Sequence, residues 1–464
     1  MAGTVSSTPG FDLTPSSKKV ALASNYITNF NFLDQYLPDT YEKEFERYGN
    51  RTVASFLRAV SAELPSNSDL IKWSEQGRLH TQYTGATYTA VSSGTQTFDI
   101  GGSVDCVFRI GQTVIVSSAS EATNAKTQKG IITAVSGTTF TVAFYVAAAN
   151  AGFTGSPAAT DVIAFVYGSE FKKGTNGMQG SLEAESDFFE NKPIIIKDKY
   201  AVNGSDMAQI GWVEVSTENG ATGYLWYIKS EHETRLRFED YLEMSMIEAV
   251  PAEAGSGAAT AALNGSEGMF YAIENRGNVW SGGNPDRLID FDAIISRLDK
   301  QGAIQENVIF LNRQFGFDID DMLAEQNSYG TGGTSYGLFD NDETMALNLG
   351  FSGFKRGYEF YKTDWKYLND ATLRGGLGAD KVNGVLVPAG SMTVYDQVLG
   401  KNATRPFLHV RYRASETEDR RYKTWMTGSA GGAMNSDLDA MEVHFLSERA
   451  LCTMGANNFF IFKD

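Results

Sequence analysis

Residues 129–146 read KGIITAVSGTTFTVAFYV, and in the second half Phe140, Val142 and Phe144 alternate with Thr139, Thr141 and Ala143. A period of two marks a strand with one buried and one wet face, and Ser136-Gly137 between two such runs predicts a hairpin. Similar runs, VFRIGQTVIVSS at 107–118 and DVIAFVYG at 161–168, lie on either side, and Gly111, Gly130, Gly137 and Gly168 fall where turns are needed. The window 80–170 is therefore expected to fold as an all-β, barrel-like module. Its flanks are helical in pattern. In 41–64, Phe45, Tyr48, Val53, Phe56, Leu57, Val60 and Leu64 recur mostly at steps of three and four, with a break at Gly49-Asn50. At Ser230-Glu231-His232-Glu233 a capping box, with Ser230 and Glu233 satisfying each other's free amides, opens a helix that Pro251 ends. About 20 residues at roughly 1.5 Å each make a spine on the order of 30 Å long. Its buried face is expected to carry Leu236, Tyr241, Leu242, Ser245 and Met246.

Beyond a small-residue loop at 252–268, RLIDFDAIISRLDKQG reads as helix, ENVIFLN as a buried strand and FDIDDMLAEQ as a second helix. From 336 onward strand-like runs dominate: MALNLGFSGFKRGYEFYKT, GVLVPAGSMTVYD, PFLHVRYRA and NFFIFKD, with 438–452 open to either type. The fold class is α+β. Residues 1–30 are rich in Ser, Thr, Gly and Pro, the composition of an arm that cannot build a core of its own. Between 178 and 216 only KPIIIKDKYAV and QIGWVEV look like strands, and two strands so poorly covered are expected to lean on a neighbour.

Composition narrows the function. At 464 residues with 42% hydrophobic content the chain can hold more than one core, and a net charge of −17 disfavours a surface built to grip phosphates or anionic lipid. The two cysteines, Cys106 and Cys452, have no partner pattern. No window approaches the roughly 18 apolar residues of a membrane span and no signal peptide is visible, so a cytoplasmic, membrane-free protein is expected. The sequons at Asn203, Asn264 and Asn402 then read as turns.

Chemistry is sparse. His80, His232, His409 and His444 stand apart, and there is no HExxH, GxSxG, P-loop or GxGxxG; GTGGTSYG at 330–337 lacks the third Gly and follows a helix. Asp318, Asp320 and Asp321 read as the charged start of a helix, and Asp340, Asp342 and Glu343 as a solvated loop. Tyr358, Phe360, Tyr361, Trp365 and Tyr367 read as core and interface before any sugar platform. No catalytic residue, metal ligand or cofactor site is assigned.

The order of parts (arm, short helices, extended excursion, capped spine helix, α+β body, β-rich segment, last strand) resembles the HK97-type major capsid proteins of tailed bacteriophages. The phrases DQYLPDTYEKEFERYGNRTVASFLRAV, IKWSEQGRLHTQYTG and GSLEAESDFFENKPIIIKDKYAVNGSDMAQIGWVEV are most similar to those of crAss-like phages. The resemblance covers essentially the whole chain. It implies an N-terminal arm at 1–38, helices and the start of an E-loop at 39–79, and an inserted β-domain at 80–170. It further implies an E-loop return at 171–229, a P-domain with its spine helix at 230–335, an A-domain at 336–440 and a last P-domain segment at 441–464. Its implied function is structural: hexamers and pentamers closing an icosahedral head around double-stranded DNA, assembled in the bacterial cytoplasm and residing in the virion. Portal and auxiliary or head-fibre proteins would be partners, with only loose DNA contact. Lys18, Lys19 and nearby residues offer the arm a local contact with phosphates or with acidic neighbours. The E-loop would reach a neighbouring subunit through Ile194, Ile196, Lys197, Asp198 and Lys199. No covalent cross-link pair can be aligned. An encapsulin-like cargo shell and a β-rich carbohydrate-active enzyme, with two carboxylates across a cleft, are the rival readings.

Overall fold

The computed structural model describes residues 56–60, 62–102, 105–155, 161–180, 186–209, 215–216, 222–223, 226–327, 352–396, 401–432 and 434–464. The arm, most of the helical segment 41–64 and the loop bearing Asp340, Asp342 and Glu343 lie outside them. Two compact units are distinguished, the smaller including Val202–Glu233 and Gly428–Met441, the larger Thr52–Ala201, Thr234–Thr427 and Glu442–Asp464.

Within the larger unit, six strands close a barrel in the order Gln82–Tyr88, Thr95–Asp99, Thr139–Phe144, Thr127–Ser136, Gln112–Ser117 and Val162–Ser169. The predicted hairpin is its centre, with Ile131 opposite Ala143 and Ser136 opposite Thr139, and Gly137 takes the left-handed φ of 55° that the turn demands. Phe98, Phe108, Phe140, Val114, Val142 and Val162 fill the interior and form a core cluster of their own. The strand-like runs read from the sequence thus belong to one closed sheet, which leaves no edge exposed.

Glu121 is the barrel's one fully enclosed carboxylate among the described residues, 1% exposed. Burial works against its charge, but the amides of Asn124 (2.9 Å), Thr123 (2.8 Å) and Thr154 (2.6 Å) and the Thr154 hydroxyl (3.0 Å) donate to it and bring its pKa down to about 2. A depressed carboxylate pKa stabilises the fold above the unfolded value, and that stabilisation is lost as pH falls from about 4.5 toward 2. Glu121→Gln should therefore cost on the order of 3 kcal/mol at pH 7 and little at pH 2. Denaturant melts of both proteins across that range check this; an equal gap at both ends would refute it.

The barrel interrupts a two-stranded antiparallel ladder, Ile71–Gln76 against Ser186–Asn191, which we call the stalk. Below it are two sheets. In one, Ala62–Ser66 runs parallel to Leu408–Arg413, which pairs antiparallel with the long strand Ala440–Thr453; that strand also pairs Ile194–Asn203 and Lys423–Gly428. Leu64 is therefore in a strand, not at the end of a helix, and 438–452 resolves as strand. The other sheet has six strands in the order Asn278–Trp280, Phe460–Lys463, Val382–Pro388, Glu306–Leu311, Tyr358–Asp364 and Gly353–Arg356. Leu288–Gln301 covers it with Phe291, Ile294 and Leu298 and ends at Gly302, φ 70°.

Two helix starts differ from the sequence expectation. Arg313–Asn327 begins earlier, with the Asn312 side chain accepting from Phe315 N–H at 2.8 Å, so Asp318, Asp320 and Asp321 lie inside it. Asp318 accepts from Asn284 and Asp320 pairs with Lys362. The spine helix runs Trp226–Glu248, one turn longer at its start. Ser230 and Glu233 are accordingly inside the helix, where Glu233 lies 3.8 Å from Lys229. Nothing in Trp226-Tyr227-Ile228-Lys229 opposes helix, so the box marks no boundary. Phe238, Leu242 and Met246 make its buried stripe, whereas Tyr241 is 40% exposed.

Candidate functional site

The stalk's root is tied to the body by a dense set of polar bonds. Trp73 and Phe189 face each other across the ladder at 6.2 Å, and the Arg276 guanidinium lies over the Phe189 ring at 4.2 Å and near Trp73 at 5.7 Å. Arg276 also pairs with Glu267 and lies 3.7 Å from Glu75, whose carboxylate accepts from Trp73 Nε1 at 3.0 Å and from Gly455 N–H at 2.9 Å. At the other strand's end, buried Asn191 donates through Nδ2 to the carbonyls of Leu451 (2.6 Å) and Glu267 (2.9 Å). Its Oδ1 accepts from the amides of Glu267 (2.8 Å) and Lys192 (2.8 Å) and the Ser266 hydroxyl (3.1 Å). Root and body are thus one rigid joint, and farther out the ladder turns Phe188, 75% exposed, to solvent.

Beyond the root, Ile194–Asn203 alternates between partly buried and exposed positions from its first residue. Ile194 and Ile196 pack against this chain's own main core cluster, and the outward positions are Ile195, 53% exposed, Lys197 and Lys199. Asp198 receives the Arg237 guanidinium at 3.2 Å, and Lys199 pairs with Glu442 at 3.0 Å, holding that carboxyl below its usual range. The two isoleucines named from the sequence are therefore spoken for within the chain, as are two of the three charges; Ile195 and Lys197 remain as the outward pair. The strand is terminal in its sheet.

The remaining candidates are structural. Tyr358, Phe360, Trp365 and Tyr367 are buried and only Tyr361 is half-exposed, so they form core and no platform. His409 is buried, and that burial, with Arg411 and Arg405 nearby, lowers its pKa to about 4, keeping it neutral. Cys106 and Cys452 are both buried and free. Among the described residues no group of three His, Cys, Asp or Glu is placed to hold a metal ion, and no helix is long and apolar enough to cross a membrane. The joint at Asn191 has no counterpart in the sequence analysis, because its partners are remote in the chain.

No protein-family model matches the chain, and no curated protein matches it. Among solved structures it is similar to one from Microbacterium phage Oxtober96, with 10% identity over 94% of this chain and 99% of the other at a TM-score of 0.40. A second, from Mycobacterium phage Ogopogo, has 10% identity, coverage of 92% and 97%, and a TM-score of 0.39. A third, the capsid of a native GTA particle computed with C5 symmetry, has 9% identity, coverage of 95% and 99%, and a TM-score of 0.38. At such identities and TM-scores no residue's role carries across.

Proposed function

We propose that this chain is the major capsid protein of a tailed bacteriophage, many copies of which form the hexamers and pentamers of an icosahedral shell around double-stranded DNA. The observation that carries the reading is the stalk. A closed barrel interrupts an antiparallel ladder that is pinned at its root by Asn191 and Arg276 and exposes Phe188, and the strand Ile194–Asn203 follows it before the spine helix. Beyond its root the ladder is two strands wide with an exposed aromatic side chain, an arrangement marginal in water by itself, and it fits a chain that lies on copies of itself. In HK97-type terms the stalk is the E-loop, the barrel an inserted domain and the spine helix part of the P-domain; the six-stranded sheet takes two strands from 230–335, three from 336–440 and one from 441–464, so the boundary drawn at 336 between P-domain and A-domain cuts through one sheet. The sequence phrases quoted above support the crAss-like subgroup. Portal and auxiliary or head-fibre proteins would join the shell in the virion, after assembly in the host cytoplasm, and the net charge of −17 suits a container that holds its DNA loosely.

Expression of the full chain followed by size-exclusion chromatography and electron microscopy tests this. Closed particles or capsomer sheets are expected. A stable small oligomer at high concentration would overturn the shell reading and return a β-rich enzyme to consideration. Particles that package protein cargo and exclude DNA in their native host would favour the encapsulin-like alternative.

A further inference from the structure

The outside of the barrel is divided by chemistry. Strands Gln82–Tyr88, Thr95–Asp99 and Thr139–Phe144 turn Thr84, Thr87, Thr95, Thr97, Thr139 and Thr141 outward. The last strand, Val162–Ser169, which pairs with Gln82–Tyr88 on one side and Gln112–Ser117 on the other, shows Ile163, Phe165 and Tyr167, 37%, 40% and 48% exposed, with Lys129 held over the Tyr167 ring at 5.7 Å. Where that strand ends, the segment leaving it turns back: Glu170 N–H donates to the Gly111 carbonyl at 2.9 Å, and the Phe171 ring lies against Gly111, where an added Cβ would collide with it. Between this segment and the barrel is a groove of about 720 Å³.

The groove's lining is specific. Ile110 and Phe171, 57% and 40% exposed, supply apolar surface, and Thr133, Asn176 and Gln179 supply hydroxyl and amide groups. Arg109 is fixed by donating Nη1 to the carbonyls of Val107 (3.2 Å) and Phe108 (3.1 Å). Neither Arg109 nor Lys172, both in the lining, has a carboxylate partner among the described residues, although the chain carries 56 Asp and Glu. Glu170 is also in the lining and accepts from the Tyr145 hydroxyl, so the groove carries two cationic side chains against one carboxylate.

We propose that this groove binds an acidic saccharide. A carboxylate on the sugar meets Arg109 and Lys172, the C–H face of a ring lies on Phe171 and Ile110, and neighbouring hydroxyls pair with Asn176 and Gln179. Side-chain amides both donate and accept, as do sugar hydroxyls, whereas an acidic peptide offers few such partners beyond its backbone. The assignment is independent of the shell reading, since it concerns the barrel alone.

Calorimetric titration of the full-length chain with oligogalacturonate, hyaluronate and polysialate fragments tests it, with neutral dextran and poly-glutamate as controls. At least one acidic saccharide should bind, more weakly as salt rises, and neither control should compete. Asn176→Ala and Lys172→Ala, both at exposed positions, should each weaken that binding about fivefold with an unchanged melting temperature. Absence of binding by all three saccharides, equal binding of poly-glutamate, or wild-type affinity in Asn176→Ala would each overturn the proposal.

Discussion

Ile196→Asp should unfold or severely destabilise the chain, whereas Ile195→Asp, one residue away, should leave it folded and stop it forming particles. The first side chain is partly buried and packs on the main core, where a carboxylate would lose that apolar contact and much of its solvation, so a loss of roughly 3 kcal/mol is expected. The second is 53% exposed on a terminal strand, where substitutions ordinarily change stability by about 0.5 kcal/mol or less. Under the shell reading an exposed isoleucine on such an edge is available to a neighbouring copy, and placing a charge there opposes its burial. Denaturant melts and electron micrographs of both variants read the two effects separately. Normal particles from Ile195→Asp would mean that this edge is not an intersubunit contact, while an unperturbed melt for Ile196→Asp would contradict the burial itself.

Asn191→Leu should cost roughly 3 to 5 kcal/mol, a large value for one nearly isosteric change. The substitution strands the Leu451 carbonyl and removes the acceptor that the Glu267 amide and Ser266 hydroxyl share. Each buried group left without a partner carries a desolvation cost of about 1 to 3 kcal/mol. Asn191→Asp keeps the acceptor and loses the donor, so it should fall between leucine and wild type at neutral pH. A loss under about 1 kcal/mol for leucine would show that water or rearrangement replaces the joint.

What could be read from the sequence, and what could not, follows from where the information lies. The hairpin around Gly137 was legible because its strands alternate locally and its turn needs a left-handed residue. The helix Leu288–Gln301 was equally plain, with Gly302 as its stop. The orientation of the excursion strand was not legible: Ile194, Ile195 and Ile196 are consecutive, so apolar side chains occupy both parities and periodicity cannot choose a face. The capping box at Ser230 and Glu233 misled because a box is compatible with an N-terminus but does not forbid helix before it. Asn191 left no local trace, since the carbonyl it holds at Leu451 is 260 positions away.

The barrel's first and last strands are neighbours, with Gln82 opposite Phe165 in an antiparallel pair. Its entry and exit are therefore side by side, where the ladder of the stalk already brings the two chain ends together. Topologically the barrel is a plug-in: the joint at Asn191 and Arg276 belongs wholly to the stalk and body and owes the barrel no contact it needs to close. A guest domain with adjacent termini could take the barrel's place between residues 77 and 185 without altering the register below. The same arrangement lets the barrel's surface diverge under selection for whatever it meets outside, while the body's sequence answers to its own packing and, under the shell reading, to neighbouring copies.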